Sequence, residues 1–407
     1  NLTLPEPAKA LGFGNNPVGG WLIGQREQLK HSVSLVICSI DVRVKKSEFL
    51  TIEGVDYAVL PTGSREEFSA LLQNAQPDLV HLWGSENPAA PALVSLCSPE
   101  RILLSAQGIM TSYTEHLLDG VPEKYCRSSP LQKLATVIDR GELLDRELAF
   151  YQEQSKKEAA LLAGLCHVTG RTPWDKAELA ALAPHAAYYV CNETLRPGFF
   201  SARWQGGPQK PVLFLSQGNQ PRKGLHWLLQ ALPPVLEKYP DLTLHIAGWP
   251  MVKKGPLLEP LLRLLLPYQT YLKKLIRKYH LEKQVVWLGC LSEADMRAAL
   301  LQSSIFVMPS SLENSPNSLG EAMLLGMPCI ATDAGGTAGM LANGKEGILY
   351  APEDVPALTA AILSLLDDPA KARRYGDAAR ERALVTHDPV RNGQAMLKIY
   401  RTILKEE

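Results

Sequence analysis

Short apolar runs rich in β-branched residues alternate with longer amphipathic segments along almost the whole chain. This alternation constrains the fold more than any other feature. In the first half the runs are Val33–Cys38, Tyr57–Leu60, Asp78–Gly84, Ile102–Ala106, His167–Thr169 and Ala187–Cys191. In the second they are Val212–Ser216, Leu242–Gly248, Val285–Gly289, Ile305–Pro309, Cys329–Asp333 and Gly347–Tyr350. Helical patterns such as Leu225–Lys238, Glu293–Gln302, Leu319–Leu325 and Ala357–Leu366 lie between them. Short strands separated by helices predict parallel sheets covered on both faces. Two such sets predict two doubly wound α/β domains. The length of 407 residues gives room for two or three domains at roughly 150 residues each.

The seam is expected between Glu193 and Lys210, where Arg196-Pro197-Gly198 and Gly206-Gly207-Pro208 break any apolar period. That places an N-terminal domain at 1–200 and a C-terminal one at 201–387. A last amphipathic helix follows the breaker His387-Asp388-Pro389 and has a face for either domain. The start is unusual. A doubly wound domain opens with a strand feeding a glycine-rich turn. Here Gly12, Gly14, Gly19 and Gly20 are present, but only Leu2-Thr3-Leu4 precedes them before Pro5. The expectation is that a first strand is missing; a continuous parallel sheet with no central vacancy would exclude it.

Composition narrows the function classes. Lysine and arginine total 42 against 42 acidic residues, so the basic excess of a nucleic-acid binder is absent. The seven cysteines are scattered and form no CxxC pair, which speaks against a disulfide scaffold or a zinc site. They read as buried thiols of a reducing cytoplasm. The most apolar stretch, Leu257–Leu266, is interrupted by Glu259, Pro260 and Arg263, short of the ~20 apolar residues a membrane span needs. The opening residues have neither the basic head nor the apolar run of a signal peptide.

The most informative stretch is Val307-Met308-Pro309-Ser310-Ser311-Leu312-Glu313-Asn314-Ser315-Pro316-Asn317-Ser318-Leu319-Gly320-Glu321. A strand should end at Pro309 and a helix begin near Asn317, with Ser315 as N-cap and Pro316 as first helical residue. The backbone N–H groups there, with the positive end of the helix dipole, form a site for a phosphate. Glu321, a turn into the helix, suits hydroxyls, and Glu313 suits a second part of the same ligand. Spacing alone equally allows a loop charge and a solvated helix face.

Glu313 and Glu321 reproduce the E-x7-E signature of retaining glycosyltransferases of family four, which have the two-Rossmann GT-B fold. The chain resembles that family also in Glu321–Pro328, in Cys329–Gly336, and upstream in Pro221-Arg222-Lys223-Gly224, Leu242–Gly248 and Val286–Gly289. The resemblance covers nearly all of the second half. It implies two Rossmann-like domains facing a cleft, with the last helix (388–407) returning to the N-terminal domain. It also implies that Glu321 binds the nucleotide ribose, that Glu313 lies near the transferred sugar, and that the Asn317, Ser318 and Leu319 backbone holds donor sugar and phosphate. Lys223 resembles the family's diphosphate-binding lysine; otherwise it is a solvated lysine at the unfavourable, positive end of a helix.

The first half resembles the family more loosely. Gly19-Gly20-Trp21 is similar to its N-terminal glycine loop, against donor phosphate or acceptor; the alternative is a plain strand-to-helix turn. Where relatives carry a sugar-contacting histidine, this chain has Gln107-Gly108, which implies an amide contact. His81 reads as a satisfied core or rim histidine. There is one clear departure. The family places an arginine five residues before its lysine, and this chain has Gly218, with Arg222 beside Lys223 but not bound to point inward.

Other motifs fail. Gly339–Lys345 ends in Glu346 where a P-loop needs Ser or Thr, and the GxGxxG pattern at Gly12 breaks. No HExxH, GxSxG or DxD occurs. The missing DxD, a common divalent-metal motif of glycosyltransferases, leaves Lys223 and helix dipoles to neutralise the diphosphate, so neither metal nor other cofactor is expected. Lys253, Lys254, Arg263, Lys273, Lys274, Arg277 and Lys278 mark a basic, leucine-rich insertion. A packed helical hairpin with a solvated face is favoured over contact with an anionic membrane or a lipid-diphosphate acceptor. The resemblance implies hexosyl transfer from a nucleoside diphosphate sugar to a hydroxyl of a glycan or lipid-linked acceptor, with retention. A nucleotide-sugar epimerase or hydrolase on the same fold, or a silent sugar-nucleotide binder, is the alternative.

Overall fold

The computed structural model describes residues 3–13, 20–127, 144–248 and 267–405. The chain divides into two compact units, one made of 1–110, 154–197 and 385–407, the other of 111–153 and 198–384. Each has the doubly wound α/β pattern of a Rossmann-like domain.

The first unit holds seven strands in two sheets. Strands β1 (Val36–Ile40), β2 (Glu48–Ile52) and β3 (Val55–Leu60) form one, in the order β1-β3-β2. Strands β4 (Val80–Trp83), β5 (Ile102–Ser105), β6 (His167–Gly170) and β7 (Ala187–Val190) form the other, in sequence order and all parallel. Among the described residues β1 is paired only with β3, and β4 only with β5. The sheet is therefore not continuous. Thr3 and Leu4 are buried outside any strand, with the Thr3 hydroxyl donating to Asp41 at 2.9 Å, and Pro5–Ala10 forms an unforeseen helix.

Strand β2 is also unforeseen, and it runs antiparallel to β3. The turn between them has two left-handed residues, Glu53 (φ 50°) and Gly54 (φ 77°), the hairpin geometry that suits strand twist. The last helix, Pro389–Leu404, buries Met396, Ile399 and Ile403 against Leu29, Leu103 and Cys191 of this unit.

The second unit carries one six-stranded parallel sheet. Its strands are β8 (Val212–Leu215), β9 (Thr243–Ala247), β10 (Val285–Gly289), β11 (Ile305–Met308), β12 (Cys329–Thr332) and β13 (Ile348–Tyr350), in the order β10-β9-β8-β11-β12-β13. Strands β8, β11 and β12 are buried along their whole length, which explains their unbroken apolar runs. The helix Leu225–Lys238 buries Leu225, Leu228, Leu229, Leu232 and Val235, one helical face, against this sheet's core.

Residues 111–153 belong with this unit, not with the N-terminal domain to which the sequence assigned all of 1–200. The reason is packing. Val121 and Leu144 lie in its core, Leu118 and Cys126 pack on it, and the Tyr125 ring stacks on Tyr271 at 5.0 Å. The thiols also need correction: Cys191 and Cys329 are buried, but Cys38 and Cys290 are exposed.

Candidate functional site

In the second unit the connection order reverses between neighbouring strands β8 and β11. The loops beyond the carboxyl ends of two such strands diverge and leave a crevice, the usual ligand position in open α/β sheets. The loop after β8 ends in Pro221-Arg222-Lys223-Gly224, and the loop after β11 carries Glu313 and leads to the helix Asn317–Leu325. The motif residues of the second half therefore flank one switch point.

The two loops are pressed together. Gly224 is left-handed (φ 71°), and a Cβ there would sit 1.8 Å from the Pro309 carbonyl oxygen, so only glycine fits. The Ser311 N–H donates to the Arg222 carbonyl at 2.8 Å, and Arg222 Nη1 donates to the Leu312 carbonyl at 2.8 Å. A third loop, after β12, is clamped on the same stretch through the Gly336 N–H and the Glu313 carbonyl at 2.8 Å.

Side-chain charge follows this backbone frame. Glu313 is 5% exposed; its Oε1 accepts from Lys223 Nζ at 2.7 Å, and its Oε2 lies 3.6 Å from Arg222 Nη1. Burial pushes the Glu313 carboxyl up, but the Lys223 and Arg222 charges outweigh it and hold it below the usual range. Burial pulls the Lys223 ammonium below its ordinary value despite Glu313. Arg222 is buried too, its guanidinium centred 4.1 Å from the Tyr113 ring, and its Nε has no hydrogen-bond partner. One buried and one half-buried cation thus share one close carboxylate. Gly218, where the resemblance expects an arginine, is closed: a Cβ would meet Leu225 Cδ2 at 2.8 Å and Ile246 Cγ2 at 3.1 Å.

The helix Asn317–Leu325 differs from expectation at its start. Its N-cap is Pro316, not Ser315, and no side chain caps it. Pro316 has ψ 117°, an extended residue, so the helical turn begins only after it. Ser318 in the first turn accepts from the Ser216 hydroxyl at 3.1 Å, a bond that spans the switch point from β8. Leu319 is fully buried, while Asn317 and Ser318 are half-buried. Glu321 is 5% exposed, so it is not a solvated helix charge, and neither is Glu313 a solvated loop charge.

The other candidates lie in the first unit. Gly20 opens the helix Gly20–Leu29, whereas Gly19 lies outside the described residues. Gln107, at the carboxyl end of β5, donates through Nε2 to Glu193, which Arg171 also holds. His81 is satisfied, with Nε2 2.7 Å from the Ser105 hydroxyl and Nδ1 2.7 Å from the Tyr400 hydroxyl; burial pushes it down to about 3. Sequence reasoning missed Tyr113, which no local pattern links to Arg222. It also missed Glu86, beyond β4, whose carboxyl is pushed up to about 7 by burial with Glu158 nearby. Neither has a motif around it.

Among the described residues no group of three or more His, Cys, Asp or Glu is placed to hold a metal ion, and no helix is long and apolar enough to cross a membrane. Lys253, Lys254 and Arg263 lie outside the described residues. Lys273, Lys274, Arg277 and Lys278 ride on the helix Pro267–Lys278, whose apolar side (Tyr268, Leu272, Leu275) is buried in the core.

Residues 201–382, the segment that carries the switch-point site, match the family described as glycosyl transferases group 1. The chain is 30% identical over 212 residues to the glycogen synthase of Mycobacterium tuberculosis, covering 51% of this chain and 47% of that one. It is 28% identical over 225 residues to a GDP-mannose-dependent alpha-(1-6)-phosphatidylinositol monomannoside mannosyltransferase of Mycolicibacterium smegmatis, covering 50% and 54%. The chain thus spans about half the length of these curated relatives. Its fold is that of the sucrose-phosphate synthase of Thermosynechococcus elongatus (TM-score 0.71, 18% identity, 95% and 94% covered). It is shared too with Anabaena HepE, solved with UDP and glucose (TM-score 0.65, 16% identity, 94% and 96% covered). These findings support the glycosyltransferase family for the chain and establish the GT-B fold, with its two Rossmann-like domains.

Proposed function

We propose that the protein is a retaining glycosyltransferase of family four that moves a hexosyl unit from a nucleoside diphosphate sugar to a hydroxyl. The observation that carries this reading is the charge at the switch point: half-buried Lys223 and buried Arg222 share Glu313 beside an uncapped helix start. A diphosphate is the ligand such a place suits. Its oxygens meet Lys223 and the backbone N–H groups of Asn317, Ser318 and Leu319, at the positive helix end. Glu321 takes the ribose hydroxyls and Glu313 the sugar. For Gly20 and Gln107, in the first unit, the resemblance implies contacts with donor phosphate or acceptor and with the donor sugar, respectively.

The chemistry needs no protein nucleophile. The bond between the sugar's anomeric carbon and the phosphate oxygen breaks, and the acceptor oxygen bonds to that carbon on the same face. The acceptor's proton passes to the departing phosphate oxygen. Catalysis is then positioning and stabilisation of growing phosphate charge, the part given to Lys223. No metal or other cofactor takes part in this reading.

The acceptor is a glycan or a lipid-linked acceptor of cell-surface polysaccharide or glycolipid assembly, met in the cytoplasm or at the inner membrane face. Names of relatives support the class: one is a glycogen synthase, another a phosphatidylinositol monomannoside mannosyltransferase. They differ in acceptor, so the sugar and base are left to experiment. Incubation with a panel of UDP-, GDP- and ADP-sugars, with and without glycan and lipid acceptors and with EDTA present, tests the reading. A glycosylated product with retained anomeric configuration is expected. Donor turnover without acceptor indicates an epimerase or hydrolase, binding without turnover a silent binder, and loss of activity to EDTA a metal enzyme.

A further inference from the structure

Lys223 and Glu313 serve different parts of one donor in the proposed reaction, yet their side chains are joined to each other. Resting on the reading above, we propose that Glu313 stands in for the diphosphate while the site is empty, and that a bound diphosphate takes Lys223 from it. Four observations carry this. Lys223 Nζ lies 2.7 Å from Glu313 Oε1, a full charge-assisted contact, while Arg222 stays 3.6 Å from Oε2. Arg222 is held elsewhere, on the Leu312 carbonyl and the Tyr113 ring, so it is the fixed cation of the pair. The backbone at Glu313 is held as well, through its carbonyl and the Gly336 N–H at 2.8 Å. Only side-chain torsions of Lys223 and Glu313 are therefore needed for an exchange.

Charge supplies the driving force. With Glu313 ionised, the cluster of Arg222, Lys223 and Glu313 keeps one positive charge in excess within a buried site. Lys223 is half-buried, and leaving its ammonium partly desolvated without a partner is costly; the carboxylate relieves that cost when nothing else does. A diphosphate brings more negative charge than one carboxylate and sits at the helix start, so it outcompetes Glu313 for Lys223. The displaced carboxylate keeps Arg222 nearby and is freed to accept hydrogen bonds from sugar hydroxyls. The device also selects. A singly charged or poorly seated anion has to displace Glu313 for less return than a diphosphate.

Competition between Glu313 and ligand lowers apparent affinity by the fraction of sites in which Lys223 is free. Glu313→Gln keeps the shape and removes the charge. The test is isothermal titration of UDP, GDP and ADP into the full chain, wild type and variant. We expect the variant to bind the preferred nucleoside diphosphate about tenfold tighter or more, as close charge pairs couple strongly, while sugar transfer falls. Equal or weaker binding by the folded variant overturns the exchange. Because the variant leaves buried Arg222 and half-buried Lys223 without that carboxylate and can fail to fold, a crystal structure of the wild type with that nucleotide gives a second measure. There the Lys223–Glu313 contact should open beyond hydrogen-bond distance; a contact kept intact beside bound diphosphate overturns the exchange. If none of the three nucleotides binds the wild type, the nucleotide-sugar reading itself falls and the exchange with it. Binding with no gain in Glu313→Gln removes the exchange alone.

Discussion

Gly224 is the residue on which the site's frame depends most, and Gly224→Ala tests this. The substitution meets two penalties. Its φ of 71° lies in the left-handed region, which costs a residue with a Cβ about 1–2 kcal/mol. The new methyl would also sit 1.8 Å from the Pro309 carbonyl oxygen, a backbone atom at the end of a buried strand. Relief requires the loop after β11 to retreat. That retreat breaks the Ser311-to-Arg222 and Arg222-to-Leu312 bonds, both 2.8 Å, each worth about 1 kcal/mol net. The sum is about 3–4 kcal/mol, which in a domain of about 200 residues lowers Tm by roughly 10 °C at 2–4 °C per kcal/mol. Gly344→Ala is the control: its φ is 73°, but no atom lies within 4 Å of the added Cβ, so only the conformational cost of about 1–2 kcal/mol applies. Differential scanning calorimetry of both variants gives the comparison. If Gly224→Ala melts no lower than Gly344→Ala, the two loops are not in the contact described, and the placement of Lys223 loses its support.

Lys223→Ala should lower kcat about 10²–10³-fold, the usual loss of a preorganised stabiliser of developing charge, with a smaller effect on donor KM; unchanged steady-state kinetics removes Lys223 from the site. Glu321→Ala should instead raise donor KM up to about tenfold with kcat little changed, since a ribose contact alters little during reaction; a large kcat loss at constant KM contradicts the ribose assignment. Acid should destabilise the fold between pH 6.5 and 4.5, read as a falling Tm. Burial holds His81, His226 and His387 down at about 3, 3 and 4, below their unfolded value near 6.5, so the stability they allow above pH 6.5 is lost as pH falls below it. Glu86, pushed up to about 7, works in the opposite sense over the same range, and three groups against one leave a net slope of at most about 2–3 kcal/mol per pH unit. A flat Tm over that interval refutes the assignment of these histidines as buried and neutral.

The parts of this molecule that sequence revealed are those in which a residue's own neighbours settle its state. Strands β8, β11 and β12 are buried on both faces, so an unbroken apolar run could signal them without knowledge of any partner. Glu313 and Glu321 drew attention by spacing, and their burial now separates them from solvated charges, which spacing could not do. Pairings across long chain separations left no local trace: Lys223 with Glu313, 90 residues apart, or Arg222 with Tyr113. The β2–β3 hairpin did leave one, Glu53-Gly54 between two short apolar runs, but β2 is only half-buried and its pattern is weak. Gly218 shows why the distinction bears on function. In the sequence it reads as a lost positive charge. In the structure the position is filled by Leu225 and Ile246, and a second cation, the buried Arg222, lies one residue before Lys223, stacked on a tyrosine. The number of cations at the switch point has therefore not dropped to one. What has changed is their mobility, because Arg222 is fixed by the Leu312 carbonyl and Tyr113 whereas Lys223 is held by a single carboxylate.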